Sequence, residues 1–117
     1  MNKILPITIL SLAIIFATFY LLGRAENSKE DLIQCLADKG VVIYGTQTCP
    51  ACNYLVDLFG GHEKISPIYV DCNQERERCS QEMQTEFVPE IQIKEELYRG
   101  PRTLKALAEE TGCQPNN

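Results

Sequence analysis

The stretch V-V-I-Y-G-T-Q-T-C-P-A-C runs from Val41 to Cys52. It begins with a continuous apolar run, which is typical of a β-strand buried on both faces. It ends with two cysteines that are separated by two residues. Pro50 follows Cys49 directly, and proline is favoured at the first position of a helix because the N–H that it lacks would have no partner there. The stretch therefore predicts a buried strand that leads into a helix, with both cysteines on the first turn.

The remaining elements complete an α/β domain. Predicted helices run from Ser28 to Gly40, from Pro50 to Phe59, from Gln74 (capped by Asn73) to about Thr85, and from Thr103 to Gly112; predicted strands are Val41–Tyr44, Pro67–Val70, and a hairpin of E-I-Q-I and E-L-Y-R. A parallel strand pair joined by a helical crossover, followed by the hairpin, gives one mixed four-stranded sheet with helices on both faces.

The first 25 residues are expected to form an N-terminal membrane anchor, with residues 26–117 as the folded domain and A-E-N-S as a short linker. Ile4 to Leu22 carry no charge, and at about 1.5 Å per residue a helix of that length matches a hydrocarbon layer of about 30 Å. The alternative is a cleaved secretory signal, although its apolar region is usually about 7–15 residues. Either interpretation carries the domain across a membrane.

Cysteine content and charge indicate the compartment and exclude some partners. All six cysteines follow the anchor, and an even, dense set in a small domain fits an oxidising exterior. We therefore expect the domain on the extracytoplasmic side. The formal net charge is −5, and every acidic residue follows Arg24, which argues against nucleic acid as a partner.

Three kinds of site are compatible with the C-x-x-C motif alone. In a redox site, Cys49 at the helix N-terminus would be stabilised as a thiolate by unpaired N–H groups and the helix dipole, and Cys52 would resolve the mixed disulfide. In a zinc site, Cys49 and Cys52 would be joined by Cys72 and Cys79, but C-x₆-C is an unusual ligand spacing. An inert disulfide is the third possibility. A disulfide that closes so short a loop reduces the entropy of the unfolded chain only a little, so it would stabilise the fold little. A C-x-x-C beside a βαβ pattern favours the redox interpretation.

With the order strand, C-P-A-C, helix, strand, helix and F-V-P-E-I-Q-I, the chain resembles the thioredoxin superfamily from about Ser28 to Cys113. The resemblance implies a thioredoxin-like fold. It also implies that Val88-Pro89 supplies the cis-proline opposite the cysteines, with Pro89 packed against Cys49 and the Val88 backbone free to pair with a client.

The chain is most similar to the thioredoxin-like domains associated with bacterial and archaeal vitamin K epoxide reductase homologues, and it has glutaredoxin-like and DsbA-like features. The shared pattern is Tyr44-Gly45, C-P-x-C, Leu58-Phe59-Gly60, Tyr69 to Cys72, Cys79, and Leu97 to Gly100. This likeness implies a structural Cys72–Cys79 disulfide. It also implies a membrane quinone reductase of the vitamin K epoxide reductase or DsbB type as partner, and no cofactor beyond the Cys49–Cys52 disulfide.

The remaining cysteines and three residues near the motif also carry expectations. A Cys35–Cys113 bridge is our expectation among the three pairings open to four cysteines, with reduced, buried thiols as the alternative. Many thioredoxins have tryptophan where this chain has Thr48, and a buried acid where it has Ile43, which we expect in the core. The hydroxyl groups of Thr46 and Thr48 either donate hydrogen bonds to the Cys49 sulfur or are simply polar groups of a solvent-facing loop.

These observations predict a membrane-tethered thiol–disulfide oxidoreductase whose clients are extracytoplasmic protein thiols and disulfides. Cys49 is the sulfur that attacks the client and later leaves it, and Cys52 resolves the mixed disulfide that Cys49 forms. Pro50 fixes the first helical turn. The oxidase direction is favoured. The alternatives are a non-catalytic thioredoxin-like peptide-binding module and a zinc-stabilised structural domain.

Overall fold

The computed structural model describes residues 3–114, with the backbone alone for residues 23–28. In chain order, the elements are α1 (Ile4–Asp38), β1 (Val41–Gly45), α2 (Pro50–Leu58), α3 (His62–Ile65), a 3₁₀ turn (Ser66–Ile68), β2 (Tyr69–Asp71), α4 (Arg76–Glu82), β3 (Glu90–Ile93), β4 (Glu96–Leu97) and α5 (Leu104–Thr111).

The four strands form one mixed sheet in the order β2-β1-β3-β4. β1 is parallel to β2 and antiparallel to β3, and β3 pairs with β4 in a hairpin. The hairpin turn uses Lys94 and Glu95 at φ 52° and 67°, a left-handed backbone without the glycine that usually supplies it. The predicted α/β class with a mixed four-stranded sheet is confirmed.

The two faces of β1 are covered by different helices. Val41 and Ile43 point into the larger core, to which the last turns of α1, together with α2 and α5, contribute. Tyr44 points to the opposite face, where it packs with Val70 and Cys79 of α4. Ile43 has no exposed surface, so its predicted place in the core is confirmed.

One uninterrupted helix covers the predicted anchor, the predicted linker and the first predicted helix of the folded domain. α1 runs from Ile4 to Asp38, so the expected linker at A-E-N-S and the helix start at Ser28 were wrong. Residues 23–38 contain no proline, and their one glycine, Gly23, costs a helix only about 1 kcal/mol, which is too little to end it. Ile4–Leu22 is long and apolar enough to cross a membrane, while Leu32, Ile33 and Leu36 at the other end enter the core.

Two further boundaries differ from the prediction. Pro67 lies in the 3₁₀ turn, and sheet pairing begins only at Tyr69, because proline has no N–H to donate to a ladder. α4 is shorter than predicted: Asn73 lies in a turn, where its N–H donates to Asp71 Oδ1 at 2.9 Å, and the helix starts at Arg76. It ends at Glu82 because the backbone N–H groups of Gln84 and Thr85 donate to the Glu90 carboxylate rather than to the helix.

Candidate active site

The two cysteines of the C-x-x-C motif lie at the N-terminus of α2, a few residues after the end of β1. Cys49 is the N-cap residue of α2, and its Sγ accepts the Cys52 N–H at 3.2 Å. Pro50 occupies the first helical position and has no N–H. The Cys49 sulfur therefore takes the place that a serine or aspartate oxygen takes at most helix starts.

Hydrogen bonds fix the loop that precedes Cys49. Asn53 Nδ2 donates to the Gln47 carbonyl at 3.0 Å, and Gln47 Nε2 donates to Asp71 Oδ2 at the same distance. The loop is thus tied both to α2 and to the end of β2. This bracing holds the Cys49 sulfur over the helix N-terminus.

The two sulfurs differ in environment. Cys49 is half-buried, whereas Cys52 has no exposed surface, and neither is in a disulfide. Burial, and then the hydrogen bond with the Cys49 sulfur, raises the pKa of Cys52 to about 12, outweighing the opposing effects of the Thr46 backbone and Arg102. Cys52 is therefore a neutral thiol at neutral pH, and Cys49 is the sulfur that a second protein can reach.

The Val88-Pro89 segment lies against the accessible sulfur. The Cys49 thiol contacts the Val88 carbonyl oxygen at 3.8 Å, a long contact even for sulfur. The Val88–Pro89 peptide bond is cis, Pro89 is buried, and Val88 is half-buried. The structure thus places the Val88 carbonyl beside the Cys49 sulfur.

Glu90 holds this segment in place, and the sequence analysis missed it. Its buried carboxylate accepts the backbone N–H groups of Gln84 at 3.0 Å and Thr85 at 2.6 Å, the Thr85 hydroxyl at 2.7 Å, and Gln92 Nε2 at 2.6 Å. Burial by itself would raise the pKa of Glu90, but these hydrogen bonds outweigh it and lower the pKa. An acidic residue next to a proline, at a position that should be buried in a strand, was the available signal.

Tyr69 was also missed as a site residue. Its hydroxyl oxygen is buried and, among the side-chain atoms that the structure describes, it is the one buried N or O without a hydrogen-bond partner. A Cβ added to Gly45 would overlap that hydroxyl and lie 3.1 Å from Cys52 Cβ. Gly45 therefore leaves the space in which Tyr69 and Cys52 become neighbours.

The remaining predicted positions are less involved. Thr48 and Pro50 are exposed, and the hydrogen bonds found within residues 3–114 include none from the Thr46 or Thr48 hydroxyl to the Cys49 sulfur. His62 is exposed on α3, where its ring meets the Tyr69 ring edge-on with centroids 5.9 Å apart.

The other four cysteines form two disulfides. Cys72 is bonded to Cys79, and Cys35 to Cys113, across 7 and 78 residues of sequence respectively. With Cys72 and Cys79 bonded to each other, they are not available as thiolate partners for Cys49 and Cys52 in a four-cysteine zinc site. The described residues contain no cluster of three or more potential metal ligands.

No protein-family model matches the chain, and no curated protein sequence matches it.

Proposed function

We propose that the protein is a membrane-anchored thiol–disulfide oxidoreductase with a thioredoxin-like fold. The observation that carries the proposal is the pair of free cysteines at the start of α2. Cys49 is accessible and hydrogen-bonded through its sulfur, while Cys52 is buried one turn behind it. A thiolate on Cys49 would be stabilised by the Cys52 N–H, since hydrogen bonds to charged acceptors are stronger than those to neutral ones.

In the oxidase direction, which we favour, the cycle starts from a Cys49–Cys52 disulfide. A client thiolate attacks Cys49 Sγ, a mixed disulfide forms, and Cys52 leaves as a thiolate that takes up a proton. A second client thiolate then attacks the client sulfur of the mixed disulfide, and Cys49 leaves as a thiolate. The client loses two electrons, and the cysteine pair gains them. A membrane quinone reductase of the vitamin K epoxide reductase or DsbB type would withdraw those electrons again.

A client chain has a place to lie beside Cys49. The Val88 carbonyl is next to the sulfur, and a groove lined by Thr46, Met83, Thr85 and the Cys72–Cys79 disulfide extends from it. An extended peptide would pair with the Val88 backbone as an added strand pairs with a sheet edge. Glu90 supports this role because it holds the segment before Val88 in one conformation.

The cellular placement rests on α1 and on the disulfides. Ile4–Leu22 would cross the membrane once, and the Cys35–Cys113 and Cys72–Cys79 bonds favour the extracytoplasmic side. Alkaline extraction of membranes and protease protection in spheroplasts test the two points. Release of the chain by alkali, or digestion only after lysis, would contradict them.

The function is tested by trapping. Cys52→Ala removes the resolving sulfur, so we expect disulfide-linked clients to accumulate on Cys49 and to disappear on reduction. Cys49→Ala is the matched control, which should trap none. A non-catalytic binding module predicts instead that clients bind equally well to Cys49→Ala without covalent linkage. The reduction potential of the pair, equilibrated with glutathione, tests the direction: a value near that of thioredoxin would contradict the oxidase assignment, and one near DsbA would support it.

A further inference from the structure

The Tyr69 hydroxyl is an unusual feature of the site. Leaving a buried polar group without a partner costs about 1–3 kcal/mol, and phenylalanine would fill the same space without that cost. Tyrosine lies at the start of β2, beside β1, where its ring packs against the core and only its oxygen lacks a partner. The oxygen therefore needs an explanation other than packing.

That oxygen lies beside Cys52. The hydroxyl and Cys52 Cβ are brought together over the bare Cα of Gly45. The other groups near Tyr69 are the ring of His62, the Asp71 carboxylate and Cys49. Burial, followed by the charges of Cys52, Asp71 and Cys49, raises the pKa of Tyr69 to about 12, so the phenol keeps its proton at neutral pH and has it to donate.

Cys52 is the group that needs such a donor. In either direction of exchange it passes through a thiolate, as the leaving group in one direction and as the attacking group in the other. A thiolate with no exposed surface is costly unless it is hydrogen-bonded. The carboxylate that thioredoxins place nearby is absent, because Ile43 occupies that position.

We propose that Tyr69 is a positioning residue whose hydroxyl donates a hydrogen bond to the Cys52 thiolate while that thiolate exists, which explains why it has no partner in the dithiol state. This inference rests on the proposed function. In the reductive direction, the Cys52 thiolate attacks Cys49 Sγ of a mixed disulfide, the Cys49–Cys52 bond forms, and the client sulfur leaves with the bonding electron pair. The proton that Cys52 lost ends on the client thiol, and Tyr69 keeps its own throughout.

The test measures the reaction rates of the two sulfurs separately. The full chain is dissolved in detergent and reacted with dithiobis(nitrobenzoate). The Cys49 thiolate releases the first coloured nitrothiobenzoate, and attack of Cys52 on the resulting mixed disulfide releases the second. Tyr69→Phe removes one oxygen, and we expect it to slow the second release about tenfold or more, as losing a hydrogen bond to a charged group does. The first release should change by less than about twofold.

Tyr44→Phe is the matched control. Tyr44 is also buried and in the neighbouring strand, but its hydroxyl donates to Glu82 at 2.9 Å on the other face of the sheet. We expect both releases to be unchanged in this variant. Thermal unfolding gives a second readout: Tyr69→Phe should unfold at the same temperature as the native chain or higher, because it removes an unpartnered polar atom.

Each outcome has a definite meaning. A second release that is unchanged in Tyr69→Phe would overturn the inference and leave the proposed function intact. Equal slowing of both releases, with a lower unfolding temperature, would also overturn it, because the hydroxyl would then serve the fold. If the native chain never gives the second release, Cys49 and Cys52 do not exchange, and the proposed function falls together with the inference.

Discussion

Cys49 and Cys52 lie three residues apart on the first turn of α2, and the Cys52 N–H donates to the Cys49 sulfur at 3.2 Å while the Cys52 side chain has no exposed surface. This hydrogen bond thus joins a partly exposed sulfur, that of Cys49, to the residue whose own sulfur is buried, Cys52. This geometry, together with the burial of Cys52, makes the two thiols chemically distinct.

The first prediction is selective alkylation. At neutral pH, iodoacetamide should modify Cys49 at least about tenfold faster than Cys52, because the thiolate is the reactive form and the Cys52 thiol is both buried and raised in pKa to about 12. Peptide mass spectrometry after short exposures measures the order. Cys52→Ala should keep the fast reaction and Cys49→Ala should lose it. Equal rates at both cysteines would contradict the roles assigned to them.

The second prediction concerns Glu90. Replacing it by Gln removes the charge that accepts two backbone N–H groups, and it turns an amide donor toward Gln84 or Thr85. We expect a loss of about 2 kcal/mol in the free energy of unfolding, the range for hydrogen bonds to charged groups. Denaturant titration measures it. Glu86→Gln, an exposed acid in the same segment, is the control and should change stability little.

The same carboxylate gives a pH dependence. The pKa of Glu90 is lower in the folded chain than its ordinary value of about 4.3, so its contribution to stability is full above that value. The contribution is lost as the pH falls through the folded-state pKa. Native stability should therefore decline below about pH 4, and this part of the decline should be absent in Glu90→Gln. A native-like acid slope in the variant would assign the effect to other carboxylates.

Local signals predicted much of the fold. Pro50 marks the start of α2, Thr103 caps α5 by accepting the Ala106 N–H at 3.1 Å, and the alternating residues of β3 predict its hairpin. The roles of Glu90 and Tyr69 could not be read in this way. Glu90 binds backbone groups five and six residues earlier, and Tyr69 meets Cys52 only after β2 pairs with β1.

The N-terminal boundary failed for a different reason. Ser28 and Asp31 carry the residue pattern of a capping box, but that pattern starts a helix only where the preceding residues are not already helical. Here α1 passes through it from Ile4. Composition separates an apolar segment from a polar one, but it does not determine whether the backbone between them is interrupted.

The third prediction ranks the two disulfides. In the chain-entropy model, a bond that closes a longer loop stabilises more: about 4.5 kcal/mol for the 78-residue separation of Cys35–Cys113 and about 2.4 kcal/mol for the 7-residue separation of Cys72–Cys79. Replacing each pair by alanine and comparing free energies of unfolding measures the order. The Cys35–Cys113 variant should be the less stable one. The reverse order would show that strain or residual structure in the unfolded chain outweighs loop entropy.

The last prediction concerns client engagement. Phe87 precedes Val88, and its side chain is 80% exposed, an unusual position for a large apolar ring. If clients lie along Val88, this ring is covered when they bind, and Phe87→Ser should reduce the yield of clients trapped by Cys52→Ala about fivefold or more. Release of nitrothiobenzoate should be unchanged, because the substitution leaves the hydrogen bond between Cys52 N–H and the Cys49 sulfur in place. Tyr54→Ser, which removes a ring that is 63% exposed on α2, is the matched control. An equal loss in both variants would indicate nonspecific apolar contact rather than a client site at Val88.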